Sequence, residues 1–279
     1  MKIIFSPKCV EYKQEWHPEA PQRVLATQGF LRGKYDFIEP KPCRVKDLLL
    51  THELELIENV RSGNFFDFDT PNLVDMFDYA RLSAGAAVDA MRFALIGEKA
   101  FSLMRPPGHH AGKNFLGGFC YFNNVAVAVK LALKSVKKVA IIDIDGHFGN
   151  GTQDIFLDNE KVLFISLHQS PAFPGTGLKS EKNCINYLLA PGTGEKEYLE
   201  KLNDAIAHIR KFSPELIAVS AGFDTYKKDP LLNLQLEIES YKKIGNMISS
   251  LNVNVFAVLE GGYSDDLPKC IANFLAGLD

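Results

Sequence analysis

Residues Lys138 to Gln153 read KVAIIDIDGHFGNGTQ. The first half is a run of apolar, largely β-branched residues, and the second half strings together Asp, His, Asn and Gly. Side chains alternate between the two faces of a sheet, so an unbroken apolar run suits a strand covered on both faces. We therefore expect a central strand at Lys138–Ile144 that ends in a polar turn. Five further runs of this kind occur at Met1–Phe5, Ala100–Met104, Val162–Leu167, Leu216–Ser220 and Val253–Leu259. Between them, Asp78–Ile96, Asn123–Leu133, Glu197–Phe212 and Leu234–Leu251 repeat apolar residues at helical spacing. The alternation predicts an α/β fold, a three-layer α/β/α sandwich around a mainly parallel sheet. No repeat and no Pro/Gly/Ser-rich linker interrupts it, so residues 1–279 are expected to form one domain.

Composition narrows the function. Of 279 residues, 46% are hydrophobic and 23% charged, as in an ordinary soluble domain. A net charge of -3 gives no basic surface for nucleic acid. No apolar run approaches the roughly 20 residues that span a bilayer. The start, MKIIFSPKCV, lacks the apolar region and cleavage site of a signal peptide. The five cysteines (Cys9, Cys43, Cys120, Cys184, Cys270) form no CxxC pair. That pattern predicts reduced thiols and a cytoplasmic protein.

Ligands of open parallel sheets bind beyond the carboxyl ends of the strands. The expected strands run into RPPGHHAG, DIDGHFGNGTQ, His168 with PAFPGTG, AGFDTYKKDP and EGGYSDD. Asp145 and His147 are two apart, so at an extended strand end they point the same way and grip one ion. Asp224, beyond another strand, is the best third ligand. Three protein ligands leave a position open for water and substrate, as in catalytic zinc sites; iron(II) tolerates the same donors. An isolated DxH is better explained by a turn cap and a packed histidine, and only the clustering at strand ends argues otherwise. His109 and His110 follow a stiff Pro-Pro-Gly turn, and two imidazoles beside a metal can share general base and acid roles. Asp143 and Asn150 are plausible partners for their second nitrogens. Tyr263, after Gly261-Gly262, can donate to an oxyanion. Phe119 and Phe173 can wall a narrow substrate stem, although core packing explains each as well.

RPPGHHA (105–111), GGFCYFNN (117–124), DIDGHFGNGTQ (143–153), SAGFDTYKKDPL (220–231) and LEGGYS (259–264) resemble, in order, the signature segments of the superfamily of histone deacetylases, acetylpolyamine amidohydrolases and acetoin utilization proteins. HPEAPQR (17–23) is similar to its N-terminal motif. The resemblance implies an arginase-like fold and a metal-dependent amidohydrolase. It implies zinc on Asp145, His147 and Asp224. His110 would be the general base and acid, oriented by Asn150. His109 would act electrostatically, partnered by Asp143, and Tyr263 would polarise the acetyl carbonyl. Phe119 and Phe173 would line the acyl-lysine tunnel over Gly118, with Asp69 at the rim. A structural potassium ion would sit among oxygens of Asp143, Asp145, His147, Ser166 and Leu167. The substrate would be an acetylated amine: protein lysine, polyamine or small metabolite.

Two positions depart from that pattern. Phe148 stands where the family usually has a second histidine, and Gly146 stands where a branched residue is common, which would loosen the ligand loop. An arginase-type amidinohydrolase would need a second carboxylate beside Asp224, where the chain has Thr225-Tyr226. A non-catalytic acyl-lysine-binding module would be expected to have lost a ligand, a histidine or the tyrosine, and none is lost.

Overall fold

The run Val139–Asp143 (β4) lies inside an eight-stranded sheet in a computed structural model that describes residues Met1–Asp279. The other strands are β1 (Lys2–Ile4), β2 (Asp36–Ile38), β3 (Ala100–Ser102), β5 (Val162–Gln169), β6 (Cys184–Leu189), β7 (Leu216–Ala221) and β8 (Asn254–Leu259). All adjacent pairs are parallel, in the order β2-β1-β3-β8-β7-β4-β5-β6. The chain winds outward through β4, β5 and β6. It then returns with β7 and β8 into the space between β4 and β3, so the winding reverses beside β4.

The helices are α1 (Gln22–Leu31), α2 (Val45–Leu48), α3 (Leu54–Ser62), α4 (Met76–Leu95), α5 (Asn124–Ala132), α6 (Asn150–Phe156), α7 (Glu195–Phe212), α8 (Ile238–Ser249) and α9 (Leu267–Leu278). On one face α4 packs on β1, β3, β8 and α5. On the other, α7 packs on β5 and α8, α8 on α9, and α9 on α1. β4, β5 and β7 are buried along their whole length, which is why their sequences show no alternation. No helix is long and apolar enough to cross a membrane.

All six expected strands form: β1, β3, β4 and β8 are shorter than expected by one or two residues at an end, and β5 and β7 run on by two and one. β2 and β6 were not expected. Both are edge strands, short or half exposed, and carry no continuous apolar run. β5 runs through His168, which is therefore a buried strand residue and not part of the following loop. The helix expected at Leu234–Leu251 begins only at Ile238. Gln235 and Leu236 are drawn into bridges with Gly194 and Tyr226, and Leu236 N–H donates to Thr225 O at 3.1 Å. Ser240 Oγ then accepts the Glu237 N–H at 3.0 Å and starts the helix. This stitching pins the segment after Asp224.

Candidate active site

The strand end at β4 is shaped by its own carboxylates. Asp143 Oδ1 accepts the Asp145 N–H at 3.1 Å, and Asp145 Oδ1 accepts the His147 N–H at 2.8 Å. Each aspartate thus bonds the backbone two residues on, the local habit of Asx turns. The staircase turns Asp145 and His147 toward the exit of β7. There Asp224 Oδ1 accepts the Gly146 N–H at 2.7 Å, and Asp224 Oδ2 lies 2.7 Å from His147 Nδ1. Asp145 Oδ1 lies 3.3 Å from the same Nδ1. Asp145 Oδ2 accepts the Gly261 N–H from beyond β8 at 2.7 Å. A Cβ on Gly222 would fall 2.0 Å from that oxygen, so glycine there is what lets the backbone approach.

Asp145, His147 and Asp224 offer donor atoms that all lie within 4.8 Å of one another. Donors bound at about 2 Å around a tetrahedral ion stand roughly 3.3 Å apart; the two shortest separations here are 3.3 Å, at that value, and 2.7 Å, somewhat inside it. One imidazole and two carboxylates therefore fit a divalent cation. No other group of three such residues converges in this chain.

The β3 exit delivers the two histidines. Glu260 Oε2 accepts the N–H groups of Gly108 and His109 at 2.7 and 3.1 Å and ties this loop to the end of β8. His109 Nδ1 donates to Asp143 Oδ2 at 3.0 Å, and His110 Nδ1 donates to Asn150 Oδ1 at 2.7 Å, the rings lying 4.0 Å apart. The different partners push the pair apart. Burial disfavours charge on both. On His109 the carboxylates of Asp143 and Asp145 outweigh it and hold the pKa up at about 10. On His110 burial, then the charges of His109 and His147, hold the pKa well below the usual imidazole value.

A cavity of about 320 Å³ opens over these groups. Asp145, His147, His109 and His110 lie on its wall with Gly118, Phe119, Phe173 and Tyr263. Asp69 lines its mouth, and the Asp69 carbonyl accepts from His17 Nε2 at 3.1 Å. Phe173 stands over His110 at 5.0 Å between ring centroids, and Phe119 over Tyr263 at 5.8 Å. Burial pushes the Tyr263 hydroxyl far above its usual pKa, so it stays a donor. Ser166 sits opposite Asp143 in the β4–β5 register, with Leu167 next along β5. Asp224 is fully buried behind the cavity surface.

The two departures have clear surroundings. Phe148 is buried and packs 4.7 Å from the His168 ring, whose Nε2 has no hydrogen-bond partner. Gly146 is not loose: its N–H donates to Asp224, and its carbonyl accepts from Gln169 N–H at 2.8 Å. A Cβ there would meet Leu232 Cδ1 at 2.3 Å. Thr225 is fully buried and bonds the Tyr241 hydroxyl at 2.8 Å, so the position after Asp224 belongs to the core.

Sequence reasoning passed over a buried ionic lock. Glu19 joins Arg105 (Nη2 to Oε2, 2.8 Å) and Arg23 (Nη1 to Oε1, 3.2 Å). Arg23 also donates to the carbonyls of Gly262 and Glu260 at 2.7 and 2.6 Å and lies 4.7 Å over the Tyr263 ring. Glu19 and Arg23 are one helical turn apart in HPEAPQR, the only local signal, and that spacing normally marks an exposed pair.

Residues 17–278 match the histone deacetylase domain family. A probable deacetylase of Archaeoglobus fulgidus is 37% identical over 94% of this chain and 81% of its own length. The acetylpolyamine amidohydrolase of Mycoplana ramosa is 40% identical over 72% of this chain and 63% of its own length. The crystal structure of the HDA15 HD domain superposes with a TM-score of 0.93 at 30% identity, covering 99% of this chain and 90% of that one. Geometry and relatives agree, and the chain belongs to the histone deacetylase domain family.

Proposed function

We propose that this chain is a zinc-dependent deacetylase that hydrolyses an N-acetyl amide, of acetyl-lysine or acetylpolyamine type, to acetate and a free amine. The observation that carries the reading is the pair His109 and His110, held by unlike partners beside three converged ligand atoms in one cavity. Asp145, His147 and Asp224 would hold the ion, with iron(II) an alternative occupant. When bound, it would polarise the acetyl oxygen and acidify water.

The chain's own groups divide the remaining work. Asn150 accepts from His110 Nδ1, which leaves Nε2 with its lone pair. His110 Nε2 takes a proton from the attacking water and returns it to the departing amine. His109, kept cationic by Asp143, faces the same region and offsets developing negative charge. The Tyr263 hydroxyl donates to the oxyanion. Phe119 and Phe173 enclose the aliphatic stem, Gly118 leaves room beside His110, and Asp69 meets the substrate at the mouth.

The chain is read as a single catalytic domain, and five buried free thiols support a reducing, cytoplasmic setting. A structural potassium ion at Asp143, Asp145, His147, Ser166 and Leu167 is supported by the adjacency of Asp143 and Ser166. The burial of Thr225 speaks against a two-metal amidinohydrolase.

The test is acetate release by zinc-loaded protein from an acetyl-lysine peptide, acetylspermine and acetylputrescine, with and without a hydroxamate chelator. Chelator-sensitive release from any of them supports the reading, and the preferred substrate names the class. No release from all three, with zinc bound, overturns it.

A further inference from the structure

The turn that presents Tyr263 leaves β8 as Glu260-Gly261-Gly262-Tyr263, and its backbone groups are tied down one after another. Glu260 N–H donates to Ala221 O at 3.0 Å, and Glu260 O accepts from Arg23 Nη2 at 2.6 Å. Gly261 N–H donates to Asp145 Oδ2, and Gly261 O accepts from Phe223 N–H at 3.0 Å. Gly262 O accepts from Arg23 Nε at 2.7 Å. Finally, the N–H of Tyr263 itself donates to Asp229 Oδ2 at 2.7 Å. The glycines let this turn form, Gly262 at a φ of +115°, but the same freedom leaves the tyrosine unplaced unless something holds its backbone.

Asp229 is outside the ligand cluster and does not line the cavity. It is buried, at 6% exposure. Its second oxygen, Oδ1, accepts the Leu231 N–H at 3.0 Å, and Leu231 does line the cavity. One carboxylate therefore spans two separate segments of the wall, the β8 exit and the loop beyond β7, through charge-assisted bonds. Phe119 and the Arg23 guanidinium contact the Tyr263 ring, and Arg23 also holds the carbonyl side of the Gly262–Tyr263 peptide, whereas the N–H side of that peptide is held by Asp229.

We propose that Asp229 is a positioning residue for Tyr263, setting where the phenol stands in the cavity. This rests on the reading of Tyr263 as the oxyanion donor. The competing account is a brace that closes the Asp229–Leu231 turn and has no particular business with Tyr263. The two differ in coupling: a brace acts whatever stands at 263, and a positioning residue acts only through the phenol.

The experiment is a double-mutant cycle in the zinc-loaded full chain, with Asp229→Asn, Tyr263→Phe and their combination. Asn keeps one acceptor but turns an N–H toward the other donor. Asp229→Asn is expected to lower kcat roughly 10- to 100-fold, within what one oxyanion donor is worth. KM should change less, and bound zinc should not change. In the Tyr263→Phe background the same substitution is expected to cost under about threefold. Equal losses in both backgrounds, or no loss from Asp229→Asn, overturn the proposal and leave the function standing. Full activity in Tyr263→Phe overturns the donor reading and this inference with it. Asp229→Glu keeps two acceptor oxygens on a longer arm and replaces the Asn variant in the cycle if that variant does not fold.

Discussion

His110 Nδ1 stands 2.7 Å from the side-chain oxygen of Asn150. An amide oxygen only accepts, so the imidazole carries its proton on Nδ1 and keeps Nε2 free. A neutral partner orients the ring without adding basicity, whereas the carboxylate of Asp143 does both for His109. Asn150→Asp should therefore convert His110 into a second His109. Its pKa would rise by about 1 unit or more. A base that stays protonated to higher pH loses activity on the acid side, so the acid limb of the kcat/KM profile should move upward. An unmoved limb in an active, folded variant would show that His110 is not the base.

The ligand cluster should report on its ion through stability. Without a cation, burial and the charge of Asp145 push the Asp224 carboxyl above its ordinary range. An ion at 100 times its Kd stabilises by about 2.7 kcal/mol, which for a chain of this length is roughly 5–10 °C in Tm. Zinc should raise the Tm of the chelator-treated protein by that order, and Asp224→Ala should abolish the shift. A shift that survives in Asp224→Ala would place the ion elsewhere.

The signals that sequence carries well are local ones. The apolar runs of β4, β5 and β7 are legible because strands buried on both faces need no alternation. Asp145, His147, His109 and His110 are legible because short spacing at a strand end dictates where they point. The edge strands β2 and β6, half solvated, leave no such trace. Neither does the lock of Glu19, Arg23 and Arg105. Arg23 meets Gly262 across 239 positions, and nothing local distinguishes a buried arginine from a solvated one. Asp229 escaped notice for the same reason: KKDPL reads as a polar turn, and only the fold brings the Tyr263 N–H to it.

Gly118 marks the limit of tolerance beside His110. Its φ is +55°, and a Cβ would fall 2.4 Å from His110 Cδ2 and 2.9 Å from Phe173 Cε1. Gly118→Ala should destabilise the fold by about 1–2 kcal/mol through the left-handed backbone. The methyl must also displace the His110 ring, and small misplacements of a catalytic group can cost about 100-fold. We expect kcat/KM to fall at least tenfold while zinc binding persists. Retained activity with a lowered Tm would mean that the ring is not held where catalysis needs it.

Acid should weaken the fold through a histidine outside the site. His52 is buried, with Nδ1 donating to Gly112 O at 2.7 Å and Nε2 accepting the Asn123 N–H at 2.9 Å. Protonating Nε2 would break the second bond and bury a charge, and burial holds the pKa down at about 4 against about 6.5 in an unfolded chain. The unfolded state therefore takes up the proton first as pH falls. The contribution of His52 is whole above pH ~6.5 and is lost progressively toward pH ~4, by up to about 1.4 kcal/mol per pH unit. Denaturant unfolding at pH 7.5 and pH 5 measures the loss. His52→Gln offers an amide donor and acceptor but does not titrate, so its stability should fall less over the same interval. An equal fall in both proteins would assign the acid sensitivity to another group.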